Sequence, residues 1–111
     1  MYIKEFPKIL QRADISEHRF VELVALCRQY EDYVTGKRGE RGKERARVIL
    51  EVVQRVAGEH WRLMLEHIST GAPCTQLSAP LPFGVARWAR LRLVFFIELN
   101  EELWYNNNDR L

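Results

Sequence analysis

The side chains with the most chemical potential are His60 and His67, each directly after a glutamate (Glu59 and Glu66) on one helical stretch. Seven residues at 1.5 Å per residue place them roughly 10.5 Å apart along a helix axis. One ion cannot bridge that gap, since a metal pair on a helix needs i, i+4 spacing. His67 with Cys74 supplies only part of a metal site. Nucleophilic catalysis asks for a Cys or Ser beside a His and an orienting acid. Cys27 lies in the apolar run VALCRQY, which suits a buried thiol, and Cys74 lies in a Pro-rich loop with no legible partner. Ser16, Ser69 and Ser78 read as helix caps or loop residues. No G-x-S-x-G, Walker or G-x-G-x-x-G pattern occurs. The sequence therefore points to no catalytic residue, no cofactor and no metal site, and a non-enzymatic protein is expected.

A second group is basic. Residues 37–47 (KRGERGKERAR) carry net +4, against +2 for the whole chain. Lys37, Arg38, Arg41, Lys43 and Arg45 are the candidate contacts to nucleic acid or to an acidic protein. Phosphate binding needs such clustered charge, and Arg41, Arg45 and Arg38 can share a helix face. Several features oppose this. Glu40 and Glu44 are interleaved and can pair locally, first-turn cations oppose the helix dipole, and no aromatic residue interleaves for base stacking. The helix that follows is too long for a helix-turn-helix unit. A solvated charged turn over 37–42 is the leading expectation, and a nucleic-acid-associated regulatory module is the alternative function.

The third group is aromatic. Residues 85–105 read VARWARLRLVFFIELNEELWY, of which 14 of 21 are apolar or aromatic. A small domain has limited capacity to bury such a load, and apolar residues around most of a helix demand cover on both sides. The expectation is that a second chain supplies part of that cover. Trp88, Phe95, Phe96 and Trp104 are the expected apolar anchors, with Arg87, Arg90 and Arg92 as polar rim, because Trp, Tyr, Phe and Arg are enriched in interface hot spots. A membrane span is disfavoured by the charges at Arg87, Arg90, Arg92, Glu98, Glu101 and Glu102. The expected function is thus a small regulatory protein that binds and inhibits or modulates another protein, as a homodimer.

The elements that position these groups are helical. A short helix is expected over 2–12 with Pro7 in its first turn. A second runs over 16–35, capped by Asp14 or Ser16 and stopped at Gly36. A long central helix over 40–69 has an apolar stripe wide enough to touch several neighbours, with Gly58 permitting close approach or a bend. Residues 71–84, with three prolines and two glycines, form an ordered connector. Residues 85–105 also alternate in the manner of a strand around Leu91–Leu99, but their length and their Ala, Arg, Leu and Glu content favour a helix. Residues 106–111 should fray. The fold class is all-α: a small bundle of three to four helices in a single domain, 1–111. The N-terminus lacks the apolar core of a signal peptide, so the expected compartment is the cytoplasm, with Cys27 and Cys74 as free thiols.

Overall fold

The computed structural model describes residues 6–105, and all regular structure among them is helical. The α-helices are α1 (Lys8–Arg12), α2 (Glu17–Arg28), α3 (Tyr30–Val34), α4 (Gly39–Ala57), α5 (Trp61–Thr70) and α6 (Val85–Tyr105). This is the all-α bundle that the periodicity implies. The expected helix over 2–12 is described from Lys8 onward, directly after Pro7; its first residues and the tail 106–111 lie outside the described residues.

Two expected helices are divided. The stretch 16–35 begins as foreseen, with Ser16 Oγ accepting the Arg19 N–H at 3.0 Å. It breaks at Gln29, whose backbone (φ −95°, ψ 9°) leaves the helical region, and α3 restarts at once. The stretch 40–69 breaks at Gly58 (φ 56°, ψ −128°), and a 3-10 turn, Gly58–His60, leads into α5. That backbone conformation is strained for any residue with a Cβ, so the glycine sets the corner. The long central helix is therefore an angled pair, α4 and α5, which lets the chain cover two sides of the core.

α6 lies between neighbours: α4 covers one side, and α1 and α2 cover another. Leu23, Cys27, Ile49, Val52, Met64, Trp88, Phe95, Phe96 and Leu99 are fully buried where these helices meet. The broad apolar surface of α6 receives most of its cover within one copy of the chain. The connector is fixed along its second half. Glu66 on α5 accepts the Ser78 N–H at 2.9 Å and the Ser78 hydroxyl at 2.6 Å, while Leu81 and Phe83 pack against the core. No helix among the described residues is long and apolar enough to cross a membrane.

Candidate functional site

Three of the four expected anchors lie inside the molecule. Trp88, Phe95 and Phe96 have no exposed surface. Phe96 meets Phe95 at 5.1 Å between ring centroids and Phe20 of α2 at 5.3 Å, both edge to face. Trp88 donates its indole N–H to His67 Nδ1 at 2.9 Å across the α5–α6 contact. These rings present no face to a partner in this conformation. Arg92 also turns inward, its guanidinium 5.0 Å from the Phe96 ring and 6.0 Å from that of Phe20. Burial pushes its pKa down from the ordinary arginine value.

The other candidates on α6 stay near the surface. Arg87, Arg90 and Glu101 are exposed, as is Trp104 at 60%, and Val94 and Ile97 are half-buried. Positions 87, 90, 94, 97, 101 and 104 follow alternating steps of three and four, the heptad spacing that places residues on one helix stripe. Beside the first half of this stripe lies a groove of about 460 Å³ between α6, the end of α4 and the connector. Its walls include Val56, His60, Phe83, Leu91 and Val94, with Arg87 and Arg90 at its edge. The Arg87 guanidinium sits 4.4 Å from the Phe83 ring centroid, and His60 meets the same ring edge to face at 5.7 Å. The stripe is positive in its first half and carries Glu101 in its second. The neighbouring Glu98 and Glu102 are held by Arg55 at 3.0 and 3.4 Å. Val94, Ile97 and Glu101, which share this stripe with Arg87, Arg90 and Trp104, are not among the contacts expected from the sequence. Their heptad spacing was the available signal, masked by the denser apolar residues around them.

The basic stretch separates by face. Lys37 pairs with Asp32 at 3.7 Å and Lys43 with Glu40 at 3.5 Å. Glu44 pairs with Arg47, which also reaches Glu51 at 2.7 Å. The bond from Arg47 holds the Glu44 carboxyl below its usual value. Arg38, Arg41 and Arg45 instead converge on a pocket of about 200 Å³, lined also by Gln29, Tyr33 and Gly42.

Cys27, Cys74, His60 and His67 pack against neighbouring side chains, whereas His18 is exposed beside Glu22. Both cysteines are free; Cys27 is buried, and burial pushes its pKa far above the ordinary thiol value, which suppresses the thiolate. His67 is an acceptor for Trp88, and its pKa is lowered by burial, then by the charges of Arg92 and Arg28. Among the described residues, no group of three or more His, Cys, Asp and Glu is placed to hold a metal ion. No family model, curated protein or solved structure matches the chain, so the functional reading rests on the geometry above.

Proposed function

We propose that this protein works by contact, as a small non-enzymatic interaction protein that pairs with a second copy of itself through the outer stripe of α6. The self-complementarity of that stripe carries the reading. In an antiparallel helix pair, the two alternating heptad positions face each other. A two-fold axis between Val94 and Ile97 then sets Arg87 against the partner's Trp104, Arg90 against the partner's Glu101, and Val94 against the partner's Ile97. Each contact occurs twice, as two-fold symmetry requires. The first is a cation–π contact beside the Phe83 groove, the second an ion pair, and the third an apolar centre. In this reading the dimer is the form that binds and modulates another protein, and pairing sets how much of it is available.

The seam is limited. A helix of 21 residues is roughly 30 Å long, exposed ion pairs contribute about 0.2–1 kcal/mol, and exposed cation–π contacts about 0.5–1 kcal/mol. A concentration-dependent equilibrium is therefore expected rather than a permanent dimer. Light scattering after size exclusion, over a concentration series, should show the mass rise from 13.2 kDa towards twice that value. Val94→Glu should hold the protein at 13.2 kDa with unchanged helical circular dichroism. Arg90→Glu and Glu101→Arg should each weaken pairing, and the double exchange should restore it. A wild-type mass that stays at 13.2 kDa throughout, or pairing indifferent to the charge exchange, would overturn the proposal.

A further inference from the structure

The pocket at the start of α4 makes a second site, independent of the α6 stripe. We infer that Arg38, Arg41 and Arg45 bind a single phosphate group, either free or at the end of a small phosphomonoester.

The first support is the way the helix sorts its charges. Steps of three and four put Arg38, Arg41 and Arg45 on one face. The glutamates interleaved with Arg38 and Arg41 lie on another and are engaged there, Glu40 by Lys43 at 3.5 Å and Glu44 by Arg47. Among the described residues, Arg38 and Arg41 have no carboxylate within ion-pairing distance. Three guanidinium groups within two helical turns repel one another, and at the first turns of a helix they also oppose its dipole. An anion in the concavity would relieve that repulsion, most directly for Arg38 and Arg41.

The second support is the pocket wall. Tyr33 is 2% exposed and backs the pocket, and α4 closes onto it at Gly42. A Cβ at Gly42 would come to 2.6 Å from Arg38 Cβ and 3.1 Å from Tyr33 Cδ1. The bare backbone there leaves room for Arg38 at the pocket mouth. Gln29 adds a side-chain amide. The volume of about 200 Å³ falls below the roughly 300–1,000 Å³ of pockets that enclose a drug-sized ligand. It suits one group rather than a whole molecule. Guanidinium forks match phosphate oxygens in pairs. Among the described residues, the buried Tyr33 is the only ring lining the pocket, which leaves no platform for stacked bases and favours a terminal phosphate over a nucleic-acid strand.

The test is a titration of the full chain with inorganic phosphate and, separately, glycerol 3-phosphate, read by amide and arginine Nε chemical shifts. Saturable shifts at Gly42 and at the three arginines are expected with both probes if the phosphate alone is recognised. With glycerol 3-phosphate alone, they would identify a monoester as the source. Binding of glycerol 3-phosphate should strengthen from about pH 5 to pH 7.5, as a phosphomonoester gains its second charge near pH 6. Arg38→Gln and Arg41→Gln should each weaken it about tenfold or more, as expected for a lost charge-assisted bond. Lys37→Gln and Lys43→Gln, on the other face, should change it less than about threefold. Absence of saturable shifts with either probe would overturn the inference. So would equal losses in the lysine and arginine variants. A short DNA duplex that binds more tightly than both probes and depends on all five cations would replace it with a strand-binding surface.

Discussion

The bond from Trp88 to His67 gives one histidine a role that can be tested by pH. His67 accepts at Nδ1, so it must be unprotonated there, and a proton on that atom breaks the contact. Its pKa in the folded protein lies below the ordinary histidine value of about 6.5, through burial first and then the charges of Arg92 and Arg28. The unfolded chain therefore binds more protons in the interval between the two values. The contribution of His67 to stability is complete above about pH 6.5 and is lost as pH falls through the lowered value. Its slope cannot exceed about 1.4 kcal/mol per pH unit. Urea unfolding at pH 8 and pH 5 should show this loss, and His67→Asn, which keeps an acceptor without the titration, should reduce it. Identical pH profiles for the two proteins would remove His67 from the account. Phe96 supports a second prediction: Phe96→Ala should lower stability by about 3–5 kcal/mol, because a fully buried ring is replaced by a cavity. Denaturant titration measures it. The aromatic types in α6 were legible in the sequence, whereas the side of each ring was not. Trp88, Phe95 and Phe96 carry the same apolar signature as an interface anchor, and the packing of α2, α4 and α5 around α6 decides that their cover is internal.

Among the elements, the corner at Gly58 shows where legibility ended. The apolar spacing of Ile49, Val53, Val56 and Ala57 continues through Trp61, Met64 and Ile68 with little interruption, so the periodicity reads as one helix. The only local mark of the break is a glycine, which helices also tolerate in their interior. Gln29 is less informative still, since nothing in its type forbids a helix; α2 and α3 diverge because Tyr33 must pack on α4. By contrast, the Ser16 cap, the stop after Val34 and the Pro-rich connector were legible, because each depends on local chemistry. Gly58→Ala isolates the backbone term at the corner. A Cβ there meets no atom within 4 Å, so steric overlap contributes nothing. The positive φ of 56° alone should destabilise the protein by about 1–3 kcal/mol. Thermal unfolding of Gly58→Ala with a retained helical spectrum is the expected result. A variant as stable as the wild type would mean that α4 and α5 can join without this corner.

For the whole molecule, the decisive point is that one copy already closes its core. The Cα radius of gyration is 13.9 Å, close to the roughly 13 Å expected of a 100-residue globule. Each of the six α-helices contributes to one buried cluster. Self-association through α6 would then add to a folded monomer rather than create it, unlike an obligate dimer whose folding and pairing are one event. This distinction yields a joint prediction. The wild-type melting temperature should rise with protein concentration, because pairing stabilises the folded state by mass action. For a domain of this size each kcal/mol gained is worth about 4–8 °C. The Val94→Glu protein should melt at one temperature across the same series, matching the wild type at its most dilute. Added salt should narrow the gap by screening the proposed Arg90–Glu101 pairs, whose side chains are exposed in the single copy. If Val94→Glu instead unfolds at every concentration, α6 needs its partner to be stable, and the apparent completeness of the single-copy core is insufficient. If the two proteins melt together throughout, the stripe is an ordinary solvated face, and the phosphate pocket at α4 becomes the stronger lead to function.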